Sequence, residues 1–329
     1  MNCVIVIPYY QKEDGVLRRA LKSVFDQTFQ NFGVVIVDDA SPYPIESELA
    51  PLNVDQKSRI TIIKQANGGP GAARNAGLDA AVESQADFVA LLDSDDVWDK
   101  GHLERAASAM SDHNADIFLA TITGGAEFDY HSSFDALLRT DDAVRLANKK
   151  PFYRIDDLIN HMIEDWSFMH LSCLALSRKL YGTVRFQKEL RLAGEDVLFF
   201  HDCLTASSNT ILCTEPGAVR GMGANLFHGV SSIEDIFIHQ QACVLRMFDL
   251  MSRRTGASEA LRSVLARRKQ DTRLEVMWGQ RDRLKAGRSL QVSTLTSLVL
   301  QDPALPASVL NYFLRRNAYK RARSGQAKA

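Results

Sequence analysis

The sequence lacks the patterns that mark secreted, disulfide-stabilised and membrane-spanning proteins. It has five cysteines in 329 residues, an odd number without a Cys-x-x-Cys pair, so neither a disulfide framework nor a zinc motif is indicated. No uninterrupted apolar run reaches the ~20 residues of a membrane-spanning helix. The first residues resemble a buried strand and lack the basic flank of a signal peptide. We therefore expect a cytoplasmic protein with mostly buried, reduced cysteines.

An excess of charge of either sign is also missing. The chain has 39 Lys and Arg against 40 Asp and Glu, a formal net charge of −1, which argues against general nucleic-acid binding. The last twenty residues are an exception, because they contain no Asp or Glu. Such a basic tail suits phosphate or an anionic membrane surface, or it is a solvated terminus. Its cations are Arg315, Arg316, Lys320, Arg321, Arg323 and Lys328.

Apolar residues are plentiful, and in the first hundred residues they follow two alternating patterns. With 46% hydrophobic and 24% charged residues, the composition is that of a globular protein with a real core. Short apolar runs typical of strands buried on both faces alternate with stretches of helical spacing at 16–25 and 71–82. This alternation predicts a parallel sheet with helices on both faces. The strand-like runs are residues 3–8, 33–39, 60–64 and 88–92.

The periodicity becomes less regular after about residue 110. From about residue 230 onward the chain has a helical pattern with basic stretches. We predict an α/β domain over residues 1–225 and a helical C-terminal region with a basic tail over residues 226–329. In the less regular part of the α/β domain, we predict strands at 116–123 and 173–177 and a helix from Asp196.

Three carboxylates occupy four positions directly after the run at residues 88–92. Asp93, Ser94, Asp95 and Asp96 follow a predicted strand at its carboxyl end, where open parallel sheets place their ligand sites. Like charges this close repel each other, so the cluster needs water, a cation or a helix N-terminus. It is either a solvated loop that caps the next helix or a site for a divalent metal.

A second polar cluster, VDDAS, follows the predicted strand at residues 33–39. The carboxylates of Asp38 and Asp39, with Ser41 beside them, can accept hydrogen bonds from a ribose hydroxyl or a base N–H. A turn or a helix cap is an equally good explanation of the cluster taken alone.

The segment NGGPGAARNAG, residues 67–77, matches neither of the common phosphate-loop patterns. Its glycines nevertheless open a predicted helix whose first turns carry Arg74 and Asn75. A helix N-terminus beside an arginine is suited to pyrophosphate. The alternative is a flexible loop whose arginine pairs with a nearby aspartate.

The pair Glu195–Asp196 in AGEDVLFF precedes an apolar helical segment. Carboxylates at a helix N-terminus are favoured electrostatically, so the pair either caps the helix or supplies a general base. Together, a nucleotide pocket, a pyrophosphate and metal pocket, and an acid about a hundred residues later fit transfer from a nucleotide-activated donor.

These motifs, in this order, resemble family-2 glycosyltransferases of the GT-A fold. The motifs are VIPYY, VDDAS, GGPGAARNAG, LLDSDD and GED, and they cover about residues 1–205. The resemblance implies an α/β GT-A fold, with a mostly parallel central sheet flanked by helices, ahead of the helical C-terminal region. It implies inversion at the anomeric carbon, with Mg²⁺ or Mn²⁺ at the family's DxD motif bridging the diphosphate of a nucleotide sugar.

The same resemblance assigns site residues motif by motif. It leaves open whether Asp95 or Asp96 makes the metal contact. The residues carried over are Pro8, Tyr9 and Asp39 for the nucleoside pocket, Arg74 and Asn75 for the diphosphate, Asp93, Ser94, Asp95 and Asp96 for the DxD turn and its metal, and Asp196 with Glu195 for the catalytic base.

Two further assignments have alternatives. His228, in a glycine-flanked segment, resembles the histidine with which a late loop closes the metal site in some GT-A enzymes, or it is structural or merely exposed. Trp166, Phe168 and His170 form an aromatic wall for the acceptor sugar or belong to the core.

The YYQK opening, the FHGVS segment and the basic helical tail resemble bacterial exopolysaccharide-assembly glucosyltransferases more closely. This resemblance implies a UDP-glucose donor, a β-linked product and a lipid-linked oligosaccharide acceptor at the inner face of the plasma membrane. Apolar and basic residues after Ser289 then either contact that membrane peripherally, pack on the catalytic domain or form a homo-oligomer contact.

Two other classes of function could use the same carboxylates. A Mg²⁺-dependent nucleotidyltransferase or phosphohydrolase is disfavoured because the chain has no Lys-rich triphosphate loop and no aspartyl-nucleophile motif. A carbohydrate-binding relative without activity is disfavoured because both DSDD and GED are intact.

Overall fold

The structure, a computed structural model, describes residues 1–124, 133–140, 143–146, 151–221, 230–254 and 259–308, with Leu310 and Phe313. The chain divides into two compact units. The first comprises Met1–Arg191 and Glu195–Asn225, and the second comprises Leu192–Gly194 and Leu226–Ala329.

Ten strands of the described residues form one sheet in the first unit. Across the sheet they lie in the order β3-β2-β1-β4-β9-β6-β10-β8-β7, and β5 pairs with β10. In chain order the strands are β1 (Cys3–Tyr9), β2 (Phe32–Asp38), β3 (Ile60–Lys64), β4 (Phe88–Leu91), β5 (Val97–Trp98), β6 (Ile117–Thr123), β7 (Ala143–Arg145), β8 (Phe152–Ile155), β9 (Leu174–Ser177) and β10 (Thr210–Val219).

The half of the sheet built from the first hundred residues is parallel, as the alternating pattern predicts. Strand β1 pairs in parallel with both β2 and β4, and β2 pairs in parallel with β3. Beyond β4 the sheet is mixed, because β9 runs antiparallel to β4 and β6 whereas β6 and β10 are parallel. A short buried run has the same composition in either direction, so the sequence pattern did not reveal this reversal.

Helices cover the sheet and make up the described part of the second unit. The predicted helix at residues 16–25 coincides with α1, and the one at 71–82 lies within α4. Short 3-10 helices occur at Leu137–Arg139 and Leu171–Cys173. The α-helices are α1 (Val16–Phe25), α2 (Ile45–Leu49), α3 (Val54–Ser58), α4 (Pro70–Glu83), α5 (His102–His113), α6 (Leu158–Glu164), α7 (Arg178–Tyr181), α8 (Glu195–Ala206), α9 (Asp235–Arg254), α10 (Glu259–Lys285) and α11 (Val292–Gln301).

Helix α4 lies directly on the central strand β1, which fixes where its N-terminus points. At Gly77 an added Cβ would lie 2.2 Å from Val6 Cγ1, closer than real Cβ atoms approach. Only a residue without a side chain allows this contact. The side chains of β1 from Val4 to Ile7 are buried, so α4 rests on fully packed strand residues.

In the second unit, α9, α10 and α11 share an apolar core of their own. Ion pairs reinforce it: Arg273 binds Asp302 through two hydrogen bonds of 2.6 and 2.7 Å, and Arg283 binds Asp235 at 2.7 Å. In the part of the chain that is described, no helix has the length and apolarity needed to cross a membrane. The core residues are Ile238, Leu245, Val276, Leu298 and Leu305.

Candidate active site

Three polar segments meet at one edge of the sheet because they follow neighbouring parallel strands. Strand β1 lies between β2 and β4, so the residues after Tyr9, Asp38 and Leu91 emerge side by side. Carboxyl ends of parallel strands are where ligands bind in sheets of this kind. The glycine-rich start of α4 and the start of α8 reach the same place through the contacts described next.

Asp39 is buried, and both oxygens of its carboxylate accept hydrogen bonds. Oδ1 accepts from Gln65 Nε2 at 2.7 Å and from the Gly68 N–H at 2.8 Å, and Oδ2 accepts from the Gly69 N–H at 2.9 Å. Asp39 therefore ties the end of β2 to the turn that begins α4. If Asp39 binds a nucleoside, as the motif predicts, its carboxylate oxygens would accept hydrogen bonds from both the nucleoside and the turn.

Of the other two predicted nucleoside residues, one is buried and one is partly exposed. The ring of Tyr9 is buried, and its hydroxyl donates to the Tyr43 carbonyl at 3.0 Å. Burial raises the pKa of the Tyr9 hydroxyl to about 12, so it remains a donor. Pro8 is partly exposed at the same strand end, so Pro8 rather than the Tyr9 ring presents a surface to a ligand.

Gln11 was not singled out from the sequence, yet it connects two of the motifs. Its main-chain N–H donates to Ser41 Oγ at 2.9 Å, and Ser41 Oγ donates to the Gln11 carbonyl at 3.0 Å. Its side-chain Nε2 donates to Ser94 Oγ at 3.1 Å. Only the position after VIPYY hinted at this role, because the contact depends on how β1 and β4 pair.

Arg74 joins the DSDD turn to the start of α8. Its Nη2 donates to Asp93 Oδ1 at 2.7 Å, and Nη1 lies 3.4 Å from Glu195 Oε1. The guanidinium also lies over the Phe186 ring, 5.4 Å from its centroid. The arginine side chain is only 7% exposed and is held by these carboxylates. Arg74 would therefore contact a diphosphate while it remains hydrogen-bonded to Asp93.

Asn75 holds the segment ahead of α8 against α4. Its Nδ2 donates to the Phe186 carbonyl at 2.9 Å, and its Oδ1 accepts from the Phe186 N–H at 2.8 Å. The Phe186 ring in turn stacks on Phe199 with centroids 3.7 Å apart. The geometry thus gives Asn75 a supporting contact, and the predicted diphosphate role for it stays a prediction.

Glu195 and Asp196 begin α8, where the helix dipole favours negative charge. Asp196 Oδ1 accepts from the Val197 N–H at 2.8 Å. Burial, and then the charge of Asp196, raise the pKa of Glu195 to about 8. Arg74 opposes this shift, but it binds Asp93 more closely than Glu195, so burial prevails. Asp196, beside Glu195 at the same helix start, is the carboxylate that the motif predicts as the general base.

Asp96 is buried behind the turn, and its neighbours hold both of its oxygens. Oδ1 accepts from the Gly221 N–H at 2.8 Å, and Oδ2 accepts from Ser172 Oγ at 2.6 Å. Burial, followed by the nearby charge of Asp93, raises the pKa of Asp96 to about 6. The contacts with Ser172 and Gly221 anchor the turn to segments far along the chain.

A glycine after β10 allows that strand to end against the DSDD turn. At Gly221 an added Cβ would lie 1.7 Å from the Asp95 carbonyl oxygen, which no side chain could tolerate without movement of the backbone. Strand β5, directly after the turn, pairs with the end of β10 through Trp98 and Ala218. The turn is therefore fixed from both sides.

The residues at the turn offer a suitable donor set for a divalent cation. One ligand atom each from Asp93, Asp96 and His170 lie within 4.8 Å of one another. Two carboxylates and an imidazole suit Mn²⁺, and carboxylates suit Mg²⁺. Asp95 belongs to the same turn but not to this group of described residues. His228, the other predicted ligand, lies outside the described residues.

His170 thus lies with the carboxylates and not with a separate aromatic wall. Burial is the main cause that lowers the pKa of His170 to about 4, so the imidazole is neutral as a metal ligand must be. Its Nδ1 is 3.6 Å from Asp96 Oδ2, and its Nε2 is 3.1 Å from Arg220 Nη1. Phe168 is buried and packs edge-on against Phe134, which is core packing, whereas Trp166 is partly exposed.

The sequence model of Glycosyl transferase family 2 matches residues 4–179, more than half of the chain. The chain belongs to Glycosyl transferase family 2. This confirms the predicted family and makes the chain a glycosyltransferase, so the nucleotidyltransferase and non-catalytic alternatives are not supported. The matched region contains β1 to β4, the DSDD turn and β9.

Relatives and solved structures agree with this assignment. Over 308 residues the chain is 44% identical to the succinoglycan biosynthesis protein ExoW of Rhizobium meliloti (strain 1021), covering 92% of this chain and 95% of the relative. The structure of S. aureus TarS 1-349 in complex with UDP-GlcNAc superposes with a TM-score of 0.63 at 19% identity, covering 98% and 92% of the two chains. Mannosyltransferase PcManGT from Pyrobaculum calidifontis, in complex with GDP-Man and Mn²⁺, gives a TM-score of 0.55 at 16% identity over 97% and 86%.

The two structural likenesses show the fold alone, and they confirm the predicted GT-A architecture for this family-2 glycosyltransferase. Its sheet is mixed, with the parallel half carrying the nucleoside and DSDD motifs and the β9–β10 half supporting the turn from behind.

Proposed function

We propose that this family-2 glycosyltransferase is a metal-dependent inverting enzyme that transfers a hexose from a UDP-sugar to a growing exopolysaccharide oligosaccharide. The observation that carries the proposal is the buried network in which Arg74 contacts Asp93 of the DSDD turn and Glu195 beside Asp196. It links the group suited to a cation with the group suited to a general base. An inverting transfer needs both on opposite sides of the anomeric carbon.

Each part of the network has a distinct role in this proposal. Asp93, Asp96 and His170 would hold the divalent cation, with Asp95 in the same turn. When bound, the cation would stabilise the negative charge of the departing diphosphate. Asp196 accepts the proton of the attacking hydroxyl, while the neutral Glu195 orients Arg74.

The nature of the donor and acceptor rests on the resemblances. The relative ExoW is named for succinoglycan biosynthesis, and the TarS structure holds UDP-GlcNAc. We propose UDP-glucose as donor, a β-linked product and a lipid-linked oligosaccharide as acceptor. The acceptor places the enzyme at the inner face of the plasma membrane, in the cytoplasm.

The sequence supports a peripheral contact with that membrane. Among the described residues near the end of the chain, Leu300, Leu310 and Phe313 are 79%, 68% and 61% exposed. The cations of the basic tail follow directly in the sequence, although they lie outside the described residues. Exposed apolar residues next to cations suit an anionic membrane interface.

A donor panel tests the proposed function. The protein is incubated with UDP-, GDP- and TDP-sugars, Mn²⁺ and a lipid-linked oligosaccharide, and the released nucleotide is identified. We expect UDP release from a UDP-hexose and its loss in EDTA, with recovery on adding Mn²⁺. A variant of an exposed carboxylate remote in sequence from the motifs, Asp55→Asn in α3, serves as the matched control and should release UDP normally. Release of pyrophosphate, or full turnover in EDTA, would overturn the proposal.

A further inference from the structure

We infer that Gln11 is a positioning residue that couples nucleotide binding to metal binding in this enzyme. The inference rests on the proposed function, because it concerns the UDP and metal sites of that reaction. Gln11 lies between the VDDAS segment and the DSDD turn and is hydrogen-bonded to both. The YYQK opening contains this glutamine, but the sequence assigned no role to it.

The main chain of Gln11 is fixed to the nucleoside side of the site. Ser41 Oγ accepts from its N–H at 2.9 Å and donates to its carbonyl at 3.0 Å, and the Tyr43 N–H donates to the same carbonyl at 3.0 Å. Ser41 is itself set by Asp38, whose Oδ1 accepts from the Ser41 N–H at 2.8 Å. A ligand that orders this segment therefore also orders the Gln11 backbone.

The side chain of Gln11 is fixed to the metal side. Nε2 donates to Ser94 Oγ at 3.1 Å, and the two residues are 5% and 4% exposed. Water cannot easily replace a hydrogen bond that is buried to this extent. Loss of the bond would therefore leave the DSDD turn less restrained. Ser94 lies between Asp93 and Asp95 in the sequence, so this bond restrains the backbone that carries the carboxylates.

A reciprocal coupling follows from this geometry. The carboxylates of the turn repel one another without a cation, and a restraint on Ser94 limits how far the turn can relax. A nucleotide that orders Ser41 and Gln11 raises the affinity of the turn for a cation. By thermodynamic linkage, the cation must raise the affinity for the nucleotide by the same factor.

The test is UDP binding measured by isothermal titration calorimetry on the full chain, with Mn²⁺ and after metal removal. The coupling ratio is the UDP dissociation constant without Mn²⁺ divided by that with Mn²⁺. In the unmodified protein we expect a ratio of about 5 to 150. In Gln11→Leu only the bond to Ser94 is removed, because Ser41 and Tyr43 bind main-chain atoms. The coupling ratio should fall about fivefold, which is the change in affinity expected when one hydrogen bond is lost.

Two further variants separate coupling from general damage. Ser94→Ala removes the other end of the same bond and should lower the ratio to the same extent. The double variant should show no additional fall, because both changes remove one interaction. Gln65→Leu is the matched control: it removes an amide that donates to Asp39 at 2.7 Å, so it should weaken UDP binding with and without Mn²⁺ and leave the ratio unchanged.

The outcomes distinguish the inference from the proposed function. If Mn²⁺ does not change UDP affinity in the unmodified protein, the metal-dependent function is contradicted. If the unmodified protein shows coupling and either Gln11→Leu or Ser94→Ala retains the full ratio, the inference is wrong. Additive effects of the two substitutions in the double variant would also contradict the inference. Thermal unfolding of each variant checks that it is folded. If Gln11→Leu does not fold, Ser94→Ala provides the test.

Discussion

Glu195 and Asp196 are adjacent carboxyl groups at the start of α8, and their surroundings set them apart. Burial raises the pKa of Glu195 to about 8, which makes it the neutral partner near pH 7. Its Oε1 faces Arg74, whereas Asp196 contacts the N–H of Val197. These surroundings agree with the proposal that Asp196 is the base and Glu195 supports it, and the roles assigned from the GED motif stay predictions.

Replacement of Asp196 by Asn tests this division. Asn keeps the size and the capping ability of Asp but cannot accept a proton, so kcat should fall by about 10²-fold or more while the affinity for UDP changes little. Both quantities are measured with saturating Mn²⁺, and Asp55→Asn is the control. Normal turnover of Asp196→Asn would leave Asp196 as a helix cap only.

The residues assigned from motifs lie close together in the structure, and their roles stay predictions, whereas residues whose contacts depend on the tertiary structure had no motif to mark them. Polar residues at the end of a predicted strand or the start of a predicted helix can be recognised from the sequence alone. Such motifs contain Asp39, Arg74, Asp93 and Asp196. Gln11 has no such signal. The pairing of β1 with β4 brings Gln11 to Ser94, and this contact is the basis of the coupling that we infer.

His170 illustrates a second reason for a miss. Next to Phe168 it looked like part of an aromatic wall, because neighbours in sequence suggested a shared surface. The short 3-10 helix at Leu171–Cys173 instead directs His170 to the carboxylates, while Phe168 enters the core.

At the scale of elements, the parallel half of the sheet was predictable and the mixed half was not. Alternating strand and helix signals determine β1 to β4 because each crossover helix returns the chain in the same direction. Strand β9 coincides with the strand predicted at 173–177, and β10 follows helix α8 closely, but nothing in the local sequence signalled the direction or the neighbours of either strand. The support that β10 gives to the DSDD turn through Gly221 was hidden for the same reason.

Helix α5 contributes a buried histidine that makes the fold sensitive to acid. The ring of His102 packs between Trp98 and Phe118, with centroids 4.9 and 5.6 Å away, and neither ring nitrogen has a hydrogen-bond partner within the described part of the chain. Burial, and then the charge of Arg105, lower the pKa of His102 to about 3, while Asp99 opposes them.

The sign of the effect follows from where protons bind. Below pH about 6.5 the unfolded chain protonates this histidine and the folded chain does not, so stability is complete above that pH and falls as the pH drops towards about 3. Between pH 6.5 and 4.5 the loss should be about 2 kcal/mol in the free energy of unfolding.

The variant His102→Leu, measured by urea unfolding across that range, should lose this part of the pH dependence. Stability at pH 7 should be retained, because an apolar side chain of similar volume replaces buried polar atoms without partners. His113, on the same helix but not fully buried, supplies the control variant His113→Leu, which should keep the acid sensitivity. An unchanged slope in His102→Leu would contradict the assignment.

At the scale of the whole molecule, the chain consists of an α/β unit that carries the motifs and a second unit whose described part is largely helical and whose sequence ends in basic residues. We propose that residues 1–225 are the catalytic domain and residues 226–329 a C-terminal region that brings the enzyme to its acceptor. The helical pattern of the sequence from about residue 230 predicted the helical character of this region, but its three-helix core and its ion pairs required the structure.

Deletion of residues 315–329 tests the membrane contact. The full chain should co-sediment with anionic liposomes at low salt, since each cation near such a surface contributes about 1 kcal/mol. The attraction is screened within about 8 Å at physiological ionic strength, so binding should weaken as salt rises. The deletion should abolish co-sedimentation and spare activity on a soluble acceptor. Equal sedimentation with neutral vesicles, or unfolding on deletion, would contradict this role.

The anomeric configuration of the product distinguishes an inverting from a retaining enzyme. If Asp196 removes the acceptor proton and the diphosphate leaves from the opposite face, as we propose, a single displacement must invert the anomeric carbon. The enzyme is supplied with UDP-glucose labelled with ¹³C at the anomeric carbon, Mn²⁺ and acceptor, and the new linkage is examined by NMR before any hydrolysis. We expect a β-linked product from the α-configured donor. An α-linked product would contradict the proposed inversion, because retention requires a different arrangement of nucleophile and leaving group.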